Sequence, residues 1–96
     1  MSKYARRIDA NQNEIVNALR GKGASVRVVT QGDGIPDLLV GYRGVTILME
    51  VKDGQKAPSA RKLTEAEQKF FNGWEGGLLV VVNSADEALD VLENCC

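Results

Sequence analysis

Five consecutive apolar residues, Leu78-Leu79-Val80-Val81-Val82, constrain the fold more than any other stretch of the chain. A strand without alternation reads as covered on both faces, the environment of a parallel strand in an α/β sheet. Upstream, Thr64-Glu65-Ala66-Glu67 has the spacing of a helix capping box. The helix it opens runs to about Asn72 and puts Ala66, Phe70 and Trp74 near one stripe, with Trp74 expected in the core; Gly73, Gly76 and Gly77 close it. Before it, residues 45 to 52, Val-Thr-Ile-Leu-Met-Glu-Val-Lys, are the most strand-like in the chain. Strand 45–52, helix 64–72 and strand 78–82 therefore form a βαβ unit. Its strands are expected to be parallel and joined by a right-handed crossover.

The remaining segments complete an order α-β-β-β-α-β-α. Ile8, Ile15, Val16 and Leu19 share one face of a helix over residues 9 to 21, which Gly21 and Gly23 end. Residues 25 to 30 alternate and are β-branched, as in a strand, and Leu38-Leu39-Val40 after Pro36 reads as a short strand. Gly41-Tyr42-Arg43-Gly44 is the turn of an antiparallel hairpin with strand 45–52. Residues 53 to 62 form a polar loop. Ser84-Ala85-Asp86-Glu87 is a second capping box, opening a helix with Ala88, Leu89, Val91 and Leu92. The fold class is α/β, a mixed central sheet flanked by helices.

The length of 96 residues allows one domain spanning the chain. An apolar fraction of 44% argues against disorder, and no apolar run approaches the roughly 20 residues of a membrane span. Residues 1 to 7 are basic with no apolar region behind them, so no secretory signal is expected. The expected location is cytoplasmic, the host cytoplasm if the chain is viral.

The sequence contains no histidine. That excludes a His general base, Ser-His-Asp and Cys-His triads, and His-ligated zinc. Acid–base or metal chemistry falls to Asp, Glu, Lys, Tyr or Cys. Cys95 and Cys96 are adjacent, cannot staple distant parts of the chain and lack zinc-ligand spacing, so they read as a helix end or tail. The net charge of −1 is unevenly placed: residues 1 to 62 hold eleven Lys/Arg against six Asp/Glu, and residues 63 to 96 hold one against seven. Such asymmetry is one hint of an anionic partner, although chance segregation of solvated charges gives the same count.

The hairpin carries the chemistry. Val45, Ile47, Met49 and Val51 make one apolar face of its second strand, and Glu50 and Lys52 interrupt the other. With Tyr42-Arg43 as the loop, Gly41 pairs with Gly44 and Asp37 lies opposite Leu48, diagonal to Glu50 on the same face. A four-residue loop preserves that parity; a three- or five-residue loop breaks it. Two carboxylates so placed repel unless one takes a proton or a cation is bound. Oxygen-only ligands favour Mg²⁺ or Mn²⁺ over zinc. Such an ion polarises a phosphoryl oxygen and activates water, and a lysine on the same face offsets developing charge. A lone Glu-x-Lys would otherwise read as a solvated strand face.

Pro36-Asp37, the hairpin and Glu50-Val51-Lys52 resemble the PD-(D/E)xK nuclease signature. Asn13-Glu14-Ile15, Gly34-Ile35-Pro36-Asp37-Leu38-Leu39, Met49-Glu50-Val51-Lys52 and residues 63 to 68, Leu-Thr-Glu-Ala-Glu-Gln, resemble its VRR-NUC (virus-type replication–repair nuclease) branch, in a stand-alone viral or phage-like form. The resemblance implies a restriction-endonuclease-like core. It implies Asp37 and Glu50 as metal ligands, joined by the Val51 carbonyl and by Glu14 from the first helix, with Lys52 as catalytic lysine and Gln68 facing the site. It also implies a homodimer acting on branched DNA such as four-way (Holliday) junctions.

Glu14 lies on the edge of its helix's apolar stripe, equally compatible with an ordinary surface carboxylate. Lys56, Arg61 and Lys62 form a candidate clamp on the DNA backbone. Tyr42 and Trp74 do not make a stacking platform for single strands, and Gly32-Asp33-Gly34 carries no Walker lysine, so no nucleotide cofactor is expected. The expected function is an Mg²⁺- or Mn²⁺-dependent DNA endonuclease. The competing readings are a non-catalytic nucleic-acid-binding module on the same fold and a small protein-interaction domain.

Overall fold

The computed structural model describes residues 10–95. The expected order is found: α1 (Ala10–Gly21), β1 (Ser25–Val28), β2 (Leu38–Tyr42), β3 (Val45–Val51), α2 (Glu65–Gly73), β4 (Leu78–Val82) and α3 (Ala85–Cys95). A 3-10 turn at Pro58–Arg61 lies within the polar loop. Ile8 and Cys96 lie outside the described residues. Among the described residues no helix is long and apolar enough to cross a membrane.

The sheet order is β1-β2-β3-β4, antiparallel between the first three strands and parallel between β3 and β4. The βαβ unit is therefore present. Helices α1 and α3 cover one sheet face, where Ile15, Leu19, Val26, Leu38, Val40, Ile47, Met49, Val82, Ala88 and Leu92 make the core. Burying each of the Val, Leu, Ile and Met side chains among them contributes about 1.5–3 kcal/mol. α1 ends as a Schellman motif: Gly23, at φ 101°, donates to the Arg20 carbonyl while Ala24 donates to Leu19.

Helix α2 lies across the opposite face and buries no residue fully. Its capping box is complete, with Thr64 and Glu67 each satisfying the other's backbone N–H. At α3 the box is altered. The Ser84 hydroxyl accepts from the Glu87 N–H, but the Glu87 carboxylate accepts from Asn83 rather than Ser84.

Three expectations are corrected. The hairpin loop is Arg43-Gly44, not Tyr42-Arg43, because Tyr42 pairs with Val45. Both loop residues have positive φ, 50° and 81°, as a type I′ turn demands. Strand β4 is not covered on both faces: it is an edge strand, Val82 alone is fully buried, and Leu78 and Val81 are exposed. Trp74 is outside the core, stacked on Phe70 at 5.3 Å and donating its indole N–H to the Gly77 carbonyl.

Candidate active site

Moving the two-residue loop one position along the chain changes the pairing by two residues and keeps the parity. Leu38 now faces Met49, so Asp37, the residue before β2, falls directly opposite Glu50 instead of diagonal to it. On the parallel side Glu50 pairs with Val81. Asp37, Glu50 and Val81 thus form a row across the face that α1 and α3 leave uncovered, beside the apolar row Leu39, Leu48 and Leu79.

Each polar side chain of the site is held by its element. Pro36, fully buried, delivers the chain into Asp37, whose carbonyl accepts from the Val29 N–H at 2.8 Å. The Asp37 Oδ2 accepts from the Val51 N–H at 2.8 Å. Within a strand the N–H and C=O of one residue leave by the same edge, so the Val51 carbonyl is on the Asp37 side. Lys52 continues β3, its N–H donating to the Val82 carbonyl at 3.0 Å and its carbonyl accepting from the Asn11 side chain at 2.7 Å.

Glu50 is 2% exposed and is the buried charged residue among those described. No N–H of the protein donates to its buried Oε1, and its Oε2 is 3.7 Å from the Lys52 Nζ. Burial first, then the negative charge of Asp37 and hydrogen bonds from the protonated Glu50 to Asp37 and Glu67, push the Glu50 carboxyl up to about 9. Burial alone would lower Lys52, but the hydrogen bond and charge of Glu67, with Glu50 and Asp37 behind it, hold it above its ordinary value. Burial would likewise raise Glu67; its bonds to Lys52 and to the Thr64 N–H outweigh that and bring it down. Metal-free, the cluster is a protonated Glu50 beside an ionised Glu67 and a charged Lys52.

Among the described residues no group of three or more His, Cys, Asp or Glu side chains stands at metal-binding spacing. Asp37 and Glu50 nevertheless suit a hard divalent ion: two facing carboxylates, one with a buried oxygen to which no N–H of the protein donates.

The other sequence candidates are placed differently. Glu14 is exposed and lines a separate cleft of about 510 Å³ with Asn11, Asp53, Arg61 and Asn83. Gln68 is exposed and donates to the Asn72 side chain, so α2 sends Glu67, not Gln68, toward Lys52. Adjacent helical positions differ by about 100° around the axis, and the capping box fixes which one turns inward. Lys56 and Lys62 are exposed, whereas Arg61 is half-buried with its Nε unpartnered.

A solved structure titled "VRR_NUC domain" is 30% identical to this chain, covering 86% of it and 90% of its own length at a TM-score of 0.56. The chain belongs to the VRR-NUC family. No family model matches it, and no curated protein matches it. As a VRR-NUC chain it has a nuclease-fold domain, with its mixed four-stranded sheet in the restriction-endonuclease-like arrangement. Glu67 is the site residue that sequence reasoning passed over. Its capping role was visible; its second partner, Lys52, was not.

Proposed function

We propose that this VRR-NUC chain is a divalent-metal-dependent DNA endonuclease, selective for branched DNA such as four-way junctions and acting as a homodimer. The observation that carries the reading is the placement of Asp37 directly opposite Glu50, with Lys52 on the same strand face. Asp37, Glu50 and the Val51 carbonyl would hold Mg²⁺ or Mn²⁺. When bound, the ion supplies Lewis-acid activation of water and of a phosphoryl oxygen. Lys52, kept cationic by its carboxylate neighbours, balances charge that builds on the phosphate. Exposed Lys56 and Lys62, in the segment leaving Lys52, supply phosphate contacts. Glu14, in the neighbouring cleft, and Gln68, bonded to Asn72, stand outside the Asp37–Glu50–Lys52 cluster.

The dimer reading is supported by the sheet face beside the site. Leu39 is 41% exposed and Val81 36% exposed there, with Leu48 and Leu79 between them. An apolar face of this kind is suited to two-fold self-association, which would present two sites to a symmetric junction.

The test is cleavage of supercoiled, linear and four-way-junction DNA with Mg²⁺, Mn²⁺ or EDTA, alongside sedimentation of the free protein. Metal-dependent cleavage that favours the junction, lost in Asp37→Ala, Glu50→Ala and Lys52→Ala, is the expected result. No cleavage of any substrate at any metal concentration overturns the enzyme reading. Salt-dependent DNA binding without cleavage would mark a non-catalytic binding module instead.

A further inference from the structure

We propose that Glu67 is a positioning residue for Lys52: it holds the lysine ammonium at the site from the first turn of α2. This rests on the nuclease reading above. The Glu67 Oε1 is 2.8 Å from the Lys52 Nζ, whereas the Glu50 Oε2 is 3.7 Å away. The same Glu67 oxygen accepts the Thr64 N–H at 2.9 Å, and the Glu67 N–H donates to the Thr64 hydroxyl at 3.1 Å. One carboxylate oxygen therefore closes the helix cap and tethers the lysine.

A lysine needs such a tether here. Its stem has four rotatable carbons and its ammonium has no fixed orientation, unlike an arginine fork. Lys52 is past the last residue of β3, so the sheet fixes its backbone but not its head group. Glu67 supplies a charge-assisted bond from an anchored carboxylate, stronger than a neutral one. That carboxylate is itself fixed in space, because Gly34 packs the loop before Asp37 against the backbone of Ala66 and Glu67. Without Glu67 the nearest acid to Lys52 would be Glu50, whose Oε2 stands 3.7 Å away, beyond hydrogen-bond distance, so the ammonium would be left without a fixed partner.

The experiment uses the full chain with Glu67→Ala, Glu67→Met, Glu67→Gln and Thr64→Ala. Thr64→Ala removes a cap bond but not the tether, so it controls for helix stability. Glu67→Ala and Thr64→Ala are expected to lower Tm alike. Single-turnover cleavage at saturating protein should fall about 10- to 100-fold in Glu67→Ala and Glu67→Met, with DNA affinity unchanged, as for a misplaced group. Thr64→Ala and Glu67→Gln, whose amide oxygen still accepts from Lys52, should stay within about threefold of the parent. Independently of activity, the Lys52 ammonium should give a slowly exchanging NMR signal in the parent and Glu67→Gln, lost in Glu67→Ala and Glu67→Met. Equal rates in Glu67→Ala and Thr64→Ala, or an unchanged ammonium signal, would reduce Glu67 to a helix cap. An inactive parent with the signal present would sink the nuclease reading and leave the tether standing.

Discussion

Asp37 accepts a 2.8 Å hydrogen bond from the backbone N–H of Val51, the residue that follows Glu50 on the neighbouring strand. Strand β2 begins only at Leu38, so Val51 has no backbone partner there, and a side chain continues the ladder in its place. The bond aims one oxygen of Asp37 at the strand and leaves the carboxylate beside Glu50. It makes Asp37 both a structural acceptor and a candidate metal ligand.

These two duties separate by substitution. Asp37→Asn keeps an acceptor for Val51 and removes the charge, so Tm should change little while cleavage falls at least about 100-fold, the scale of a group acting in the chemical step. Asp37→Ala also strands the Val51 N–H, which costs about 1–3 kcal/mol. Its Tm should drop by about 4 °C or more. Thermal melts of the two variants side by side decide this.

The sequence made the βαβ unit and the Asp37/Glu50 face legible because both rest on strong periodic signals. The hairpin turn lies one residue later than the pattern predicts, because arginine is not a marker of a positive-φ turn position and Gly44 alone signals it. The face survived the error, since the register moved by two residues and side chains alternate with period two. Strand β4 departs from its pattern because an apolar run does not reveal whether a layer exists to cover it. Glu67 was hidden for a related reason. A capping box states that the side chain folds back over the helix start, but not which strand lies beneath it.

Stability should depend on pH through Glu50. Its carboxyl is raised from 4.5 to about 9 by burial and by Asp37. Below about pH 4.5 both folded and unfolded chains carry the proton, and the contribution is fully present. As pH rises toward 9 the unfolded chain releases that proton while the folded one retains it, so stability falls across this window. Metal-free Glu50→Gln lacks this loss and should be more stable than the parent at pH 8. The gain is on the order of a few kcal/mol, since a tenfold change in proton affinity is worth about 1.4 kcal/mol. Denaturant melts in EDTA from pH 5 to 9 measure it; parallel curves for parent and variant would contradict the burial of a titrating Glu50.

Divalent metal should act against that order. Mn²⁺ stabilises whichever chain binds it in the folded state, by RT ln(1 + [L]/Kd), about 2.7 kcal/mol at a hundredfold excess over Kd. The parent should gain Tm with Mn²⁺, more at pH 8 than at pH 6, because binding must expel the Glu50 proton. Glu50→Gln and Asp37→Asn should gain little. A shift of equal size in all three proteins would place the ion elsewhere.

The exposed cations after β3 should act on affinity rather than on chemistry. Lys56 and Lys62 reach solvent, while Arg61 is half-buried in the cleft with Glu14 and Asp53. Removing one phosphate-binding cation lowers the slope of log K against log salt by about 0.9. Lys56→Ala and Lys62→Ala should each do so, with the cleavage rate of bound DNA unchanged. Arg61→Ala should leave the slope alone. Binding isotherms between 50 and 200 mM salt, about the range in which such slopes are resolved, separate the three.

Gly34 offers a test of how the site is assembled. It sits at φ +80°, a conformation that L side chains rarely adopt, and a Cβ there would collide with the Ala66 carbonyl and lie 2.8 Å from the Glu67 backbone nitrogen. These are backbone atoms of the first turn of α2, which cannot swing aside as a flexible side chain can. Gly34→Ala must therefore shift either the loop that delivers Asp37 or the turn that delivers Glu67. Overpacking of this kind costs about 1–3 kcal/mol. It should also pull Glu67 from Lys52, so activity should fall further than the loss of folded protein explains. Gly21 and Gly73, whose added Cβ atoms would meet nothing within 4 Å, are the controls: Gly21→Ala and Gly73→Ala should leave the cleavage rate intact. A Gly34→Ala protein with parental rate per folded molecule would show that loop and helix are not coupled through this contact.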